Sequence, residues 1–559
     1  MRQMTLLSKG IVNYKKHKAM LNINHFCNKL LTAVIISASS LCISAQNPYL
    51  PLWEHIPDGE PYVFEDPDRP GEYRVYVYGS HDSLLTEFCG REQVVWSAPV
   101  TDLNAWRYDG IIFISDKNRD GKPLYENEKG DILYAPDVAV VSDSCGVKTY
   151  YLYPNNQAEG RQGMVAKSKR PDGPFEVCNW SLSDPNLTDG VLRFDPAVFV
   201  DDDGKVYGYW GFGDVYGAEL DPTTMATLKP GGPVVKNMVS ALNQEGVFKF
   251  FEASSMRKIK DKYVFVYSRL TDEGEFGLPS NNYTLAYAYS NNPLGPFTYG
   301  GTIIDGRARG VNEKGEVIHT AYPSGNTHGS ICEINGQWWV FYHRQSGTTE
   351  YSRQAMVAPV ELSVEEGIDG KVYISEGEIT SEGFSTDGLN PLFKTPAGIA
   401  CYLVGPEGSY EVYPNYVHSG SYIKAEYFDP ETAKGPFNQK IPFSPVVNNT
   451  SGSTIGYKYI DFSKIDCNCP VEFKCSLLPA GIDGTVTLLI GSPYKSKGGK
   501  EIGKFQVSAD MPARLTEIST KLHDVSDVEG KQPLYLLFDS GVKGTSICDL
   551  YDFQFANIH

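Results

Sequence analysis

DPAVFVDDDGKVYGYWGF, residues 195–212, decides how the chain reads. An apolar run, Ala197–Val200, follows an aspartate and a proline. Asp203-Gly204 then supplies a tight pair, and Val206–Trp210 resumes as an aromatic strand. Two short strands on either side of an Asp-Gly turn make a β-hairpin. The acidic triplet Asp201–Asp203 lacks the alternating ligands and distal glutamate of a calcium loop, so it reads as the turn itself. What remains to be explained is the carboxylate, Asp195, at the entrance of the first strand.

The same plan recurs. Aromatic strands preceded by turn residues begin near residues 71, 146, 203, 260 and 335: GEYRVYVYGS, GVKTYYLYPN, DGKVYGYWGF, KDKYVFVYSR and NGQWWVFYHR. AKSKRPDGPF (166–175) matches AYSNNPLGPF (288–297) at Ala, Ser, Pro and Gly-Pro-Phe, a second sign of duplication. Spacings of this size suit four-stranded propeller blades with inserted loops. The strand before each aromatic strand opens on Asp58, Asp137, Asp195, Glu252 or His328. The innermost strand of every blade lines the common axis, so these five residues are expected to converge on one pocket. A strand-opening aspartate alone often only forms a turn; five in register point further.

Composition agrees with an all-β chain. Among 559 residues there are 36 tyrosines, 54 glycines and 35 prolines, and helix-period patterns are scarce. A formal charge of −18 argues against nucleic acid or an anionic membrane surface as partner. Before residue 46, basic residues (Lys15, Lys16, Lys18, Lys29) precede the apolar LLTAVIISASSLCISAQ, the pattern of a signal peptide cut near Ala45. A secreted or periplasmic protein is expected, and a surface lipoprotein through Cys42 less so, because the usual leucine before the lipidated cysteine is missing. No later apolar run is long enough to span a bilayer. Nine cysteines lie beyond the leader. CNCPVEFKC (467–475) has no histidine nearby and reads as a local disulfide or plain thiols, not a zinc site.

Clustered carboxylates beside a histidine, in a β protein crowded with Tyr and Trp, suit glycoside hydrolysis, which needs one carboxylic acid for the leaving oxygen and one carboxylate on the opposite face of the sugar. YAPDV, FDPAVFVDDDGKVYGYWG, FFEASSM and NTHGSICEINGQWWVFYHR resemble the signature segments of glycoside hydrolase family 43, over about residues 50–360. The resemblance implies a five-bladed β-propeller that inverts the anomeric centre. It implies Asp58 as general base, Asp137 as the carboxylate tuning and orienting the acid, and Glu252 as general acid. Asp195 resembles a structural aspartate of the pocket floor. At the base the family shows Asp-Pro, whereas this chain has Asp58-Gly59-Glu60-Pro61, which leaves Glu60 and Asp66 as rivals. His328 resembles a histidine facing a calcium ion or water in the axial channel. Arg353 resembles an arginine that reaches the sugar, and a surface ion pair reads equally well. Trp210 and Phe212 are placed either to stack on a sugar or to pack between blades.

The expected organisation is a signal peptide (1–45), a propeller (46–361), a connector rich in Ser, Thr, Gly and Pro (362–402) and a β-sandwich or jelly-roll (403–559). That last part resembles carbohydrate-binding module family 6, in which Glu426 would sit near a structural calcium. No cofactor is required for the chemistry. The expected substrate is a pentose-rich plant polysaccharide or its oligosaccharides, cleaved as an α-L-arabinofuranosidase first, a β-xylosidase second and a β-galactan- or galactofuranose-directed glycosidase third. The rival of another class is a secreted carbohydrate-binding protein without catalysis. Oligomeric state is not legible.

Overall fold

The computed structural model describes residues 46–126, 129–431, 441–523 and 525–558. The expected leader, 1–45, lies outside them. Each hairpin read from the sequence is present and sits at the inner half of a blade. Blade I is Glu60–Glu65, Tyr73–Tyr78, Glu92–Pro99 and Arg107–Ile114; blade II is Asp137–Ser142, Lys148–Tyr153, Ala166–Ser168 and Glu176–Val177. Blade III is Ala197–Val200, Val206–Trp210, Tyr216–Leu220 and Val234–Lys236; blade IV is Phe250–Ile259, Lys262–Arg269, Thr284–Ser290 and Thr298–Asp305. Blade V has three strands, Ser330–Ile334, Gln337–Gln345 and Arg353–Val360. All neighbouring strands within a blade are antiparallel.

The aromatic strands do not alternate in hydrophobicity because each is the second strand of its blade, covered on both faces by neighbouring blades. Val75, Tyr76, Val77 and Tyr78 are all buried, as are Val264, Phe265, Val266 and Tyr267. At roughly 1.5–3 kcal/mol per large apolar side chain, these strands carry much of the stability of the ring. The ring closes where blades I and V meet, through a parallel bridge between Gly59 and Gly329. A Cβ on Gly329 would lie 1.9 Å from the Phe341 carbonyl oxygen, so only glycine fits that seam. On the outer edge of blade V, the Asn47 amide donates to Val357 O (2.8 Å) and its oxygen accepts from Val357 N (3.1 Å), completing a blade that lacks a fourth strand.

Beyond the propeller a hairpin, Leu362–Val364 with Val372–Ile374, precedes a two-sheet sandwich. One sheet runs Tyr422–Ile423, Val446–Val447, Cys548–Asn557, Val471–Pro479 and Thr516–Lys521. The other runs Tyr402–Val404, Thr454–Asp461, Lys531–Asp539, Gly484–Ile490 and Lys500–Val507. Phe473, Phe553, Phe555, Leu534, Leu536, Val486 and Leu488 fill the space between them. The described residues between 46 and 427 and between 441 and 558 form one unit; the described residues 428–431 belong to another. All nine cysteines of the described residues are free thiols, so CNCPVEFKC holds no disulfide. Among the described residues no helix is long and apolar enough to cross a membrane.

Candidate active site

The register of the hairpins sets the depth of each polar residue. Glu60, Asp137 and Ala197 lie opposite Tyr78, Tyr153 and Tyr209, the equivalent tyrosines of blades I, II and III. Asp58 and Asp195 therefore sit two residues before that level, ahead of their strands and toward the mouth, where the backbone leaves the extended conformation (φ 60 and 41). On blade IV the pairing is broken by bulges on both sides of Glu252, and Ala253 has φ 67. A bulge re-aims the side chain it carries. Glu252 is thereby presented at the mouth, partly open to solvent.

Asp58 is 5% exposed and held on several sides. Ser80 Oγ donates to its Oδ2 (2.5 Å), and Arg353 Nη1 donates to Oδ1 (3.2 Å) and Oδ2 (3.4 Å). Its backbone N–H donates to His343 Nδ1 (3.2 Å), whose Nε2 donates in turn to Asn326 O (2.8 Å). Burial lowers His343 to about 4, so the ring is a neutral acceptor. Burial alone would raise the Asp58 carboxyl, but the Arg353 guanidinium, helped by the Ser80 hydrogen bond, outweighs it and holds it below the usual carboxylate range. An ionised carboxylate is thus prepared at the mouth.

Glu252 is in the opposite state. Burial, then the carboxylates of Asp195 and Asp58, push it well above the ordinary glutamate value, which favours the protonated acid. Asp195 is raised to about 6, chiefly by burial; its Oδ1 accepts from Asn155 Nδ2 (2.8 Å) and its Oδ2 from Ala253 N (3.0 Å), which pins the bulge that carries Glu252.

Here the sequence reading is corrected. Asp137, expected beside Glu252, is not among the largest influences on it, which after burial are Asp195 and Asp58. Its Oδ1 accepts from Tyr62 Oη (2.6 Å), its Oδ2 from Val198 N (2.6 Å), and it lies near Glu60 and Arg257 in the channel below. Burial and Glu60 push it to about 7. It laces blades I, II and III together, and the neighbour of the acid is Asp195, which had been read as a structural residue. The rivals of Asp58 are engaged elsewhere. Glu60 is paired with Arg257 (2.7 Å), and Asp66, past the far end of the first strand, lies 3.9 Å from Arg74.

Arg353 is no surface residue. It is 2% exposed, chelates Asp82 through Nε (2.9 Å) and Nη2 (2.8 Å), and reaches Asp58 with Nη1. Arg353→Met would leave two buried carboxylates without their cation, and a loss of about 3–5 kcal/mol in urea-melt stability is expected. Trp210 packs against Tyr216 (ring centroids 5.7 Å, 15° between planes) within the blade and against an apolar cluster shared with blade II, in line with packing between blades. Phe212 is 56% exposed and touches Phe194 and Phe251, the residue before Glu252, which keeps it at the mouth.

The two calcium readings find little support in the donor sets. His328 is buried, with Nδ1 3.7 Å from Asp195 and Nε2 3.9 Å from Glu60 Oε1, itself a buried atom without a hydrogen-bond partner. Calcium takes six to eight oxygen ligands, and among the described residues no group of three His, Cys, Asp or Glu side chains is arranged to hold a metal. Glu426 is engaged by Lys424 (2.9 Å) and the Ser444 N–H (3.2 Å). The sequence reading missed Ser80, Asp82, Asn155 and His343. All four sit at or just past the ends of the aromatic strands, which return the chain to the mouth, and that position was the signal for them.

A carboxylate held below its usual range, one pushed toward its protonated form and a third carboxylate beside the latter, gathered at one end of a propeller axis, suit a glycosidase. The sequence pattern of the glycosyl hydrolases family 43 matches residues 71–367. The chain belongs to this family. As a family 43 glycosidase it is 34% identical over 437 residues to a xylosidase/arabinosidase of Thermoclostridium stercorarium, covering 74% of this chain and 82% of the relative. It is 32% identical over 253 residues to xylosidase/arabinosidase 43A of Humicola insolens, covering 38% of this chain and 65% of that one. Among solved structures, a family 43 arabinoxylan arabinofuranohydrolase from Bacillus subtilis aligns over 92% of this chain and 97% of its own at 20% identity, with a TM-score of 0.43.

Proposed function

We propose that this glycosidase removes α-L-arabinofuranosyl units, or β-xylosyl units, from pentose-rich plant polysaccharides and their oligosaccharides, with inversion. The observation that carries the reading is the split between Glu252, pushed toward the protonated acid, and Asp58, bound by Arg353 and Ser80 and held below the usual carboxylate range, beside one mouth. Glu252 gives its proton to the glycosidic oxygen as the bond to the anomeric carbon breaks. Asp58 takes a proton from the water that attacks that carbon from the opposite face. Arg353, Ser80 and His343 orient Asp58, and Asp195 keeps the proton on Glu252. The names of the relatives, xylosidase/arabinosidase, support the pentose preference. A panel of aryl α-L-arabinofuranosides, β-D-xylosides and β-D-galactosides tests it: turnover of an arabinoside or xyloside is expected, and activity confined to galactosides would overturn it.

The acid limb of the pH profile follows Asp58, which must be ionised, and the alkaline limb follows Glu252, which must be protonated. Asp195→Asn removes a negative neighbour of Glu252, so the alkaline limb should move down by roughly one to two units while the acid limb stays within half a unit or so. A kcat/KM profile of wild type and variant measures this. We further propose that the sandwich is an accessory carbohydrate-binding domain, which its two-sheet form supports, and that the protein is secreted or periplasmic, on the pattern of its first 45 residues.

A further inference from the structure

Asp58 is held through two loops, one before blade V and one within it. The first carries Asn326, whose backbone oxygen accepts from His343 Nε2 (2.8 Å) and Gln345 Nε2 (3.3 Å) and whose side-chain oxygen accepts from Arg353 Nη1 (3.5 Å). The second, 346–352, leads directly into Arg353. Its neck is closed by Ser346 Oγ donating to Ser352 O (2.6 Å) and Ser352 Oγ donating to Ser346 O (2.7 Å). His343 then receives the Asp58 backbone N–H (3.2 Å), and Arg353 meets the Asp58 carboxylate (3.2 Å). Whatever fixes the two loops fixes the carboxylate.

The hairpin Ser409–Val412 with Asn415–His418, which follows the propeller in the chain, grips both. On loop 346–352, Thr348 O accepts from Tyr416 N (2.9 Å), Glu350 N donates to Pro414 O (3.0 Å), Thr349 bridges Asn415, and His418 Nε2 lies 3.0 Å from Gly347 O. On the first loop, Ser324 Oγ donates to Glu411. Glu411 and Tyr416 are opposite one another in the hairpin, and the Tyr416 hydroxyl reaches both loops at once, Ser324 O at 3.0 Å and Glu350 Oε1 at 3.2 Å. Tyr416 is 4% exposed, with its ring edge-on to Tyr322 (5.4 Å). Buried polar groups left without a partner are costly, so the loops must shift to find new partners when this hydroxyl is removed.

We infer that Tyr416 is a positioning residue for the general base: its hydroxyl joins the loop that holds His343 to the loop that ends in Arg353, and so keeps the guanidinium against Asp58. This rests on Asp58 as the base. The groups facing Asp58 are Arg353, His343 and His328, the carboxyls of Asp195 and Glu252, and the Cys89 thiol. Tyr416→Phe removes no charge and keeps the packing of the ring, so its effect on Asp58 comes through the geometry of Arg353 and His343. A cation held less closely lets the carboxyl rise, and the acid limb, which needs Asp58 ionised, moves up in pH.

The test is the pH profile of kcat and kcat/KM for the full-length chain as wild type and Tyr416→Phe, on an aryl pentoside that wild type turns over, with the same change repeated in the Asp58→Asn background. The acid limb should rise by about 0.5–1 unit while the alkaline limb stays within about 0.3 unit. With the base less well aimed, kcat at the optimum should fall about three- to tenfold and KM stay within about twofold. In Asp58→Asn the added change should cost less than about twofold, because the residue it acts through is gone. An acid limb that stays in place, a displacement shared equally by both limbs, or an equal loss in the two backgrounds would overturn the positioning role and leave Asp58 as the base. A melting temperature lowered with both limbs unmoved would likewise overturn it, as the mark of a brace that serves folding alone. Full activity in Asp58→Asn would remove the base assignment and the role of Tyr416 with it.

Discussion

Glu252→Gln lowers kcat/KM on oligosaccharide substrates by ~10²–10⁴-fold, the range lost when a positioned general acid is removed. The argument is local. Glu252 is the one carboxyl at the mouth that burial and two carboxylates hold well above its ordinary value, and the bulge that aims it is fastened by the Ala253 N–H to Asp195. Glutamine has the same shape and is neutral, as the protonated acid is, so folding and sugar binding should persist. A melting temperature within about 2 °C of wild type and measurable binding of product are the controls that separate lost chemistry from lost structure. Substrates whose leaving group needs no proton, such as dinitrophenyl glycosides, should lose far less. If oligosaccharide and dinitrophenyl substrates suffer equally, Glu252 is not the proton donor.

Asp58→Asn is expected to cost a further ~10²–10⁴-fold, irrespective of the leaving group, because the lost step is activation of water. Arg353 keeps its two bonds to Asp82 in this variant, so the guanidinium is not left unpaired in the interior. The acid limb of any residual activity should vanish, since Asp58 supplies it. The contrast between the variants is the informative part: dinitrophenyl substrates rescue Glu252→Gln and do not rescue Asp58→Asn. A full rescue of Asp58→Asn by the better leaving group would assign the base to another residue.

The five hairpins were legible because blade geometry writes itself into neighbouring residues: a polar opener, a short apolar strand, a Gly- or Asp-bearing turn and an aromatic strand covered on both faces. The convergence of Asp58, Asp195 and Glu252 followed from that repeat. Their depth did not. Matching each segment on its opening carboxylate puts Asp137 level with Asp58, whereas matching on the tyrosine opposite it, Tyr153 against Tyr78 and Tyr209, lowers it by two residues and brings Asp195 to the acid. Arg353 was harder, since nothing near it in sequence shows that Asp82 and Asp58, more than 250 positions away, will enclose it. The 409–418 hairpin posed the same difficulty: it is tied in part through backbone groups to a loop 64–68 residues earlier, and backbone partners leave no mark on residue types.

That Asp58 and Glu252 act from opposite faces of one sugar is tested most directly by the stereochemistry of the product. Proton NMR of the first-formed anomer, recorded before mutarotation on whichever pentoside the enzyme turns over, should show the configuration opposite to that of the substrate. A product of retained configuration would mean that a carboxylate attacks the sugar itself, and would contradict the assignment of Asp58 as a base acting through water.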